Sequence, residues 1–520
     1  MSKLKYVEIG HVRSIRGCIV IIEGLNSCVY GQLVTIGLST IANIVGFNQK
    51  EAYGLLLKET DHVKTGDEVR ASLEPFTVPV GDKFIGRIVN SLCEPQDGLG
   101  PVVPDAYNPI FAVAPSILQR QPLCMTLETG TKVLDTMIPI GLGQRQLILG
   151  NKSTGKTTFI TDVILNQKNT GLICIYCAIG KARSQLARVV QLFQDHNAFE
   201  YSLIVAAPAS SSAGQMYLAP YVACSLAEYW RDQGKHVFVG FDDFTKHAWA
   251  YREISLLLGR APGRDSYPGD IFYLHSKMIE RACHLDKERG AGSMTFLPIV
   301  EILEGDLTAF VPSNLVSMTD GQVFLDAQLF GQGQKPALDL GLSVSRVGSK
   351  VQWPIIKKLG GSLRLEFLQF RELKRISQLR TGGQTEEQIE RLKSGEILTK
   401  LLRQYKDSPV NLETLSLLLY GYNKKFLSRL LLEEVDEFQD TIYQRALDKN
   451  PDLLKLLRER RKLDDELEKK MSEFLESYVK EFEMRRPVVE EEGSGENVLE
   501  NIGRDVLKEA TDKRKATVEK

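Results

Sequence analysis

A short glycine-rich loop between a predicted strand and a predicted helix constrains the fold of this chain more than any other stretch. The loop reads Gly150-Asn151-Lys152-Ser153-Thr154-Gly155-Lys156-Thr157, which matches the phosphate-binding pattern G-x-x-x-x-G-K-[ST]. Residues 146–149 before it predict a buried strand, and residues 158–165 after it predict an amphipathic helix. This order places the loop amides and the helix N-terminus against phosphate groups. The sequence therefore predicts an α/β nucleotide-binding domain around the loop.

Individual side chains of the loop have predicted roles in binding a nucleotide and its metal ion. The Lys156 ammonium is expected to reach the β- and γ-phosphates, and the Thr157 hydroxyl is expected to ligate Mg²⁺. Thr158, the next residue, completes the predicted contacts that begin at Gly150. ATP or ADP with Mg²⁺ is therefore the predicted ligand.

A second motif supports the metal site. The apolar stretch 237–241 predicts a strand, and it ends in Asp242 and Asp243. In proteins with this kind of loop, an aspartate at a strand end holds Mg²⁺ through water beside the loop hydroxyl. Asp242 is the predicted metal-side residue. Asp243 can serve the metal or cap the following helix, and the sequence leaves both roles open.

The distribution of apolar residues predicts a multidomain chain of 520 residues. Residues 1–79 contain short apolar runs cut by glycines, which predict a small closed β-barrel. Residues 80–351 alternate apolar strands with helical patterns, which predict a mostly parallel sheet with helices on both faces. Residues 352–485 predict an α-helical bundle. Its leucine-rich stripes include Leu412, Leu415, Leu418 and Leu419, then Leu430, Leu431, Val435 and Phe438, and then the helix starting at Pro451. Residues 486–520 predict a charged tail that is disordered or a lone solvated helix.

Composition and charge exclude several classes of function. The net charge of -1 offers no overall electrostatic attraction for nucleic acid or anionic lipid. No apolar run approaches membrane-spanning length, and the first residues lack the apolar core of a signal peptide. We therefore expect no nucleic-acid partner and no direct membrane insertion. The scattered cysteines indicate reduced thiols in the cytosol.

Further segments extend the pattern along the chain in a characteristic order. They are VPVG at 78–81 with IGRIVN at 85–90, IPIG at 138–141 with GQR at 143–145, YREISLLL at 251–258 leading into PGR at 262–264, YPGD at 267–270 with FYLHS at 272–276, and GLSVSRVG at 341–348. From roughly residue 6 to 475, the chain resembles the alpha subunits of F-type ATP synthases.

The resemblance implies a place in a larger assembly. Alpha subunits of this family alternate with catalytic beta subunits in a ring around a central stalk that contains a gamma-type subunit. The implied location is the cytoplasmic side of the cell membrane, as a peripheral part of the complex. The chain begins almost at the first predicted barrel strand, so docking of a peripheral stalk is doubtful. The stretch 378–385 is basic where the family has an acidic loop that touches the central stalk, so that contact persists with altered charge or the rotor differs.

Two residues bear on catalysis. By resemblance, Arg346 reaches across the interface as an arginine finger to a nucleotide bound by beta; the alternative is an interface salt bridge. Lys181 stands where catalytic beta subunits carry a glutamate and typical alpha subunits a glutamine. A cationic lysine cannot accept the proton of water, which argues against hydrolysis at this chain's own site. We expect its side chain either to point into solvent or to lie near phosphate, with solvent favoured.

The resemblance also assigns residues to the adenine side of the site. Gln404 matches a glutamine near the base, and Lys406 stands where the family has a second glutamine. Lys335 and Pro336 align with an Arg-Pro pair near the same pocket. Because Lys406 and Lys335 depart from the family's pattern, adenine is expected without being secured against guanine. Separately, the loop residues 151–153 replace a more usual Asp-Arg-Gln.

Three functions are compatible with the residues. The first is a regulatory, non-catalytic alpha subunit of a rotary ATP synthase that binds Mg-ATP. The second is an alpha-like subunit of a divergent ATPase that drives a task other than proton-driven synthesis. The third is a self-sufficient hexameric ATPase of the export-motor or helicase type, against which Lys181 counts.

Overall fold

Antiparallel strands near the N-terminus close into a barrel. The computed structural model describes residues 7–58, 63–72, 75–379 and 385–486. The barrel strands are β1 (Val7–Arg16), β2 (Ile19–Glu23), β3 (Leu33–Ile36), β4 (Thr40–Phe47), β5 (Glu51–Leu56) and β6 (Glu68–Ser72). They pair in the order β1-β2-β5-β4-β3-β6. Inward side chains such as Val20, Ile22 and Ile44 fill the interior, which confirms the predicted barrel.

The strands after the barrel build mainly one large sheet. They are β7 (Thr77–Val80), β8 (Ile88–Val89), β9 (Ala106–Pro109), β10 (Thr126–Leu127), β11 (Ile140–Gly141), β12 (Leu147–Gly150), β13 (Ile173–Ile179), β14 (Ser202–Ala207), β15 (His236–Asp242), β16 (Cys283–His284), β17 (Ser293–Glu301), β18 (Gly321–Leu325) and β19 (Val344–Ser345). The sheet order is β19-β18-β12-β17-β15-β13-β14-β8. The strands from β18 to β8 are parallel, and β19 pairs with β18 in the antiparallel sense. The predicted mostly parallel sheet is confirmed.

Helices cover the sheet and form the C-terminal bundle. They are α1 (Lys132–Met137), α2 (Lys156–Leu165), α3 (Arg183–Asp195), α4 (Ala213–Arg231), α5 (Phe244–Leu257), α6 (Ile271–Ile279), α7 (Phe310–Met318), α8 (Ala327–Gly331), α9 (Pro354–Gly360), α10 (Leu363–Leu379), α11 (Glu386–Leu402), α12 (Leu412–Asn423), α13 (Leu432–Lys449), α14 (Pro451–Arg460) and α15 (Asp465–Arg485). Among the described residues, no helix is both long and apolar enough to cross a bilayer.

The two faces of the sheet belong to different hydrophobic clusters. Along β13, Cys174 and Tyr176 pack into a cluster that continues into the C-terminal bundle, whereas Ile175 and Cys177 pack on the opposite side with α4 and α5. This follows from the alternation of side chains along a strand. Because the strands from β18 to β8 are parallel, their carboxyl ends lie at one edge of the sheet, where a ligand site is expected.

The bundle confirms most of the predicted leucine stripes and corrects one residue. Leu415, Leu418 and Phe438 are buried, and Pro451 begins α14 as expected of a proline in the first helical turn. The assignment of Leu431 to the core is wrong, because it precedes α13 as its N-cap and is exposed. The exact domain boundaries remain predictions. The tail beyond residue 486, and residues 380–384 of the basic stretch, lie outside the described part of the chain.

A buried histidine pair links α5 and α6. His247 Nε2 lies 3.2 Å from the Tyr217 carbonyl oxygen, and His247 Nδ1 lies 3.1 Å from His275 Nε2. A carbonyl only accepts, so His247 donates through Nε2 and accepts at Nδ1 from His275. This arrangement needs a neutral His247 ring with its proton on Nε2. Burial lowers the pKa of His247 to about 4, and burial together with His247 lowers the pKa of His275 well below its usual value.

We expect this pair to destabilise the fold in acid. Below about pH 6.5 the two histidines become protonated in the unfolded chain but stay neutral in the folded protein. The free energy of unfolding therefore falls by up to about 1.4 kcal/mol per pH unit for each histidine, until the pH reaches the folded pKa. Melting temperatures at pH 7 and pH 5 would measure this. His275→Gln should reduce the drop, whereas His196→Gln, at an exposed position, should leave it unchanged. An equal drop in melting temperature for wild type and His275→Gln would contradict the assignment of the acid sensitivity to the histidine pair.

Candidate functional site

The glycine loop joins β12 to α2 at the ligand edge of the sheet, as predicted. A Cβ atom on Gly150 would lie 2.8 Å from Thr154 Oγ1 and 2.9 Å from the Leu325 carbonyl oxygen, so the strand end has room only for glycine. Gly155 is the N-cap of α2 with φ of 95°, a left-handed conformation. Thr154 Oγ1 donates to the Asn151 carbonyl at 2.8 Å. The N-terminus of α2 is therefore aimed where phosphates are expected.

The Lys156 ammonium lies over the loop. It donates to the carbonyl oxygens of Gly150 at 2.9 Å and Asn151 at 2.5 Å. Burial lowers the pKa of Lys156, and nearby charges, among them Glu301, partly oppose this effect. A phosphate group would offer this ammonium stronger, charge-assisted acceptors than neutral carbonyls.

Asp242, at the end of β15, gathers donors from three directions. Its Oδ2 atom accepts from Thr157 Oγ1 at 2.6 Å and from the Tyr176 hydroxyl at 3.0 Å. Its Oδ1 atom lies 2.5 Å from Lys181 Nζ. The side chain of Asp242 is completely buried. The structure thus brings together the two residues that the sequence assigned to the metal, Thr157 and Asp242.

The expectation that Lys181 favours solvent is wrong. Its side chain is 19% exposed and pairs with the Asp242 carboxylate at the edge of the cavity described below. Lys181 follows β13, the strand adjacent to β15 in the sheet, so the two strand ends bring the opposite charges together. Attraction to a buried carboxylate outweighs the hydration that would draw an isolated ammonium outward.

Asp243 has the capping role. Its Oδ1 atom accepts from the Lys246 backbone amide at 2.8 Å, which places Asp243 at the N-cap of α5. Burial, assisted by the charge of Asp242, raises the pKa of Asp243 to about 6. Of the two roles left open by the sequence, the structure shows the capping role.

A cavity of about 910 Å³ extends from the loop, within the range of small-ligand sites. Loop residues 152–158 line one end. The residues predicted for the adenine side line it as well, namely Lys335, Pro336, Gln404 and Lys406. Parts of the chain more than 200 residues apart in sequence thus form one site.

Gln404 shapes the cavity wall through hydrogen bonds of its own. Its Nε2 group donates to the carbonyls of Gly130 at 2.7 Å and Ser408 at 2.8 Å, and its Oε1 atom accepts from the Lys132 amide at 2.9 Å. Both ends of the amide are therefore engaged within the protein. The Lys406 side chain is 79% exposed and lies 3.7 Å from Asp407.

Sequence reasoning missed the aromatic residues of the cavity. Phe330 and Tyr405 line it with partly exposed rings, and Trp249 lies near the phosphate end among residues that also include Lys246. The Lys246 ammonium lies 3.7 Å from the centre of the Trp249 ring. Tyr405 could have been identified from its position between Gln404 and Lys406. Flat apolar rings of this kind can stack on a nucleobase.

Arg346 lies elsewhere, directly after the edge strand β19. Its backbone amide donates to the Asp320 carbonyl at 2.8 Å, and Arg145 holds the Asp320 carboxylate at 2.7 Å. The exposed guanidinium makes one long hydrogen bond, at 3.3 Å, to the Val316 carbonyl. Arg346 is not among the described residues that line the cavity. Its backbone is therefore fixed while its charged group is available at the surface.

Comparisons with known proteins agree with this arrangement. Residues 130–345 match the model of the ATP synthase alpha/beta family, nucleotide-binding domain, and residues 352–478 match the ATP synthase alpha/beta chain, C terminal domain. The chain is 42% identical to ATP synthase subunit alpha of Aquifex aeolicus over 84% of this chain and 87% of that protein. It is 41% identical to ATP synthase subunit alpha of Clostridium botulinum (strain Eklund 17B / Type B) over 92% of this chain and 95% of that protein.

Proposed function

We propose, on the premise that this chain belongs to the ATP synthase alpha/beta family as an F-type alpha subunit, that its own site holds ATP or ADP without hydrolysing it. As an alpha subunit it is part of an ATP synthase complex. The observation that carries the proposal is the Lys181 ammonium on Asp242, beside the phosphate loop. Hydrolysis needs a group there that takes a proton from water, and a lysine cation cannot do so.

The remaining cavity supports retention of a nucleotide. We propose that loop residues 150–158 hold the phosphates, with Lys156 moving from the loop carbonyls to phosphate oxygens. Pro336, Phe330 and Tyr405 offer apolar surface for the base, while Lys335 and Lys406 add positive charge to the same cavity wall. Gln404 acts by holding the wall, since its amide is already hydrogen-bonded.

Mg²⁺ is the metal that this family implies, and Thr157 and Asp242 are the residues that would hold it. A hydroxyl and a carboxylate are ligand types that Mg²⁺ accepts. When bound, the metal neutralises charge on the phosphate oxygens. The carboxylate of Asp242, however, already carries the Lys181 ammonium. The site therefore fits the metal only with Lys181 displaced from Asp242.

We further propose that this subunit contributes to catalysis in a neighbour. Catalytic beta subunits and a gamma-type stalk subunit are its proposed partners, at the cytoplasmic side of the membrane. The exposed Arg346 guanidinium on a fixed backbone supports action on a nucleotide bound by beta. A self-sufficient hexameric ATPase is disfavoured by Lys181, because such a chain would need its own site to turn over.

The purified full-length chain tests the proposal. We expect it to bind ATP while showing no steady-state hydrolysis. Lys156→Gln should weaken binding about ten- to a hundredfold, because a charge-assisted hydrogen bond to phosphate is lost. Isothermal titration calorimetry measures the affinity, and Lys168→Gln, at an exposed position outside the cavity, is the control. Sustained turnover by the isolated chain would overturn the proposal.

A further inference from the structure

The Lys181 side chain is held in place at the phosphate end of the cavity. The backbone carbonyl of Lys181 accepts from the Ala209 amide at 2.9 Å, and the amide of the preceding residue, Gly180, donates to the Ala207 carbonyl at 2.7 Å. Gly180 has a φ of 63°, and a Cβ atom there would lie 2.8 Å from Lys246 Cβ. The backbone before Lys181 is thus fixed by a close approach that requires glycine, and it directs the ammonium to Asp242.

This ammonium neutralises the carboxylate that would otherwise attract a metal. Oδ1 of Asp242 faces Lys181 at 2.5 Å, and Oδ2 accepts from Thr157 and Tyr176. Other charged groups at this end of the cavity include Lys156, Lys246, Asp243 and Glu301. A divalent cation beside Thr157 and Asp242 would lie close to the lysine cation, and the two like charges would repel each other.

The same ammonium is equipped to serve phosphate directly. A lysine ammonium has three donors, and the contact of Lys181 with Asp242 Oδ1 is an ion pair whose geometry is not that of a hydrogen bond. These donors can turn toward the cavity, which Lys181 lines together with Lys156. Two lysine cations would then face the phosphate oxygens at the position where a metal ion usually supplies the charge.

We propose that Lys181 replaces the divalent cation at this site, so that the chain binds ATP or ADP independently of Mg²⁺. The inference rests on the proposed function, since it concerns the same nucleotide site. It assigns Lys181 as the residue that determines metal dependence. It also separates the two consequences of this lysine, because metal independence concerns binding, whereas the absence of a base concerns hydrolysis.

The fluorescence of Trp249 provides the readout, because its partly exposed ring lines the cavity. ATP is titrated into the full-length chain in excess EDTA and, separately, in excess Mg²⁺. For wild type we expect dissociation constants that differ by less than about threefold between the two buffers. For Lys181→Gln we expect binding in EDTA to be at least about tenfold weaker than in Mg²⁺. Trp249→Phe should lose the fluorescence change, which would identify Trp249 as its source.

Two further variants complete the design. Lys181→Arg keeps the positive charge and should bind equally in both buffers, whereas Lys168→Gln removes a lysine outside the cavity and should behave as wild type. Binding of Mg-ATP by Lys181→Gln would itself show that the variant is folded. If Lys181→Gln binds ATP in neither buffer, the result for Lys181→Arg decides. Equal ATP binding by Lys181→Arg in both buffers supports the proposal that a fixed positive charge replaces the metal, and binding that requires Mg²⁺ overturns it.

The outcomes separate the inference from the proposed function. Wild-type binding that requires Mg²⁺ overturns the inference and leaves the proposed function standing. Equal binding by Lys181→Gln in both buffers overturns the assignment to Lys181. A wild-type chain that binds no nucleotide in either buffer refutes the proposed function, and the inference fails with it.

Discussion

Arg346→Ala should abolish ATP turnover by the assembled complex, lowering kcat by about a thousandfold to a hundred-thousandfold, the contribution of an arginine finger. The guanidinium is exposed and weakly held within this chain, with one hydrogen bond of 3.3 Å to the Val316 carbonyl. Its backbone is anchored through Asp320, which Arg145 holds in turn. Because the backbone of Arg346 is fixed and its guanidinium is exposed, the guanidinium can act on a nucleotide in a neighbouring subunit.

The effect should be confined to the neighbour's site. Because Arg346 does not line the cavity among the described residues, its loss should leave this chain's own affinity for ATP unchanged. Arg346→Lys should also fail to restore turnover, since an ammonium lacks the planar fork that contacts two phosphate oxygens. Steady-state hydrolysis of the reconstituted complex measures the first effect, and calorimetry on the isolated chain measures the second.

A surface arginine supplies the matched control. Arg188 is exposed on α3, so Arg188→Ala should retain turnover in the same assembly. If Arg346→Ala hydrolysed ATP at the wild-type rate in a correctly assembled complex, the finger role would be refuted. A loss of assembly, detected by gel filtration, would indicate the interface salt bridge instead.

Glu228→Ala should destabilise the nucleotide-binding domain by about 3–5 kcal/mol, because it leaves a buried guanidinium without its partner. Arg281 is 1% exposed and donates to both carboxylate oxygens of Glu228, at 2.6 and 2.9 Å. It also donates to the Ile110 carbonyl at 2.8 Å and to Ser225 Oγ at 3.0 Å. The pair therefore joins α4 to the segments around residues 110 and 281.

Denaturant titration followed by circular dichroism tests this prediction. The double variant Glu228→Leu/Arg281→Met should lose less stability than Glu228→Ala, since it removes both charges of the pair. Arg231, which also contacts Glu228 at 3.5 Å, keeps Asp232 at 2.8 Å in both variants. Glu390→Ala removes one partner of an exposed ion pair with Lys425 and should change stability little. If the double variant were as unstable as Glu228→Ala, lost packing would be responsible, and the unpaired charge would not.

Much of the fold could be predicted because it rests on local patterns. Short apolar runs cut by glycines predicted the barrel, and the strand–loop–helix sequence around Gly150 predicted the edge of the sheet where the cavity lies. The pairing of Thr157 with Asp242 was also predictable, because both residues belong to motifs with a known mutual geometry. Leu431 was misassigned because helical periodicity does not reveal where a helix begins.

The side-chain partners in the site could not be predicted in the same way. The sequence identified Lys181 as an unusual cation after β13, but its partner depends on which strand lies beside β13 in the sheet. The amide of Gln404 was assigned to the base region, yet it bonds to Gly130 and Lys132, which only folding brings within reach, and to the nearby Ser408. The link between Glu228 and Arg281 spans segments with no shared motif.

By itself, the sequence determined the three kinds of domain and the phosphate loop, because these follow from residue type and spacing along the chain. The proposal that Lys181 stands at the position of the catalytic base comes from the family resemblance. Only the tertiary structure decided that Lys181 pairs with Asp242 and that Arg346 is not among the described residues that line the cavity. The physical reason is the distance along the chain over which each kind of interaction acts. Periodicity and loop motifs act over a few residues, whereas charge pairing and burial depend on distances that exist only after the strands have assembled into the sheet.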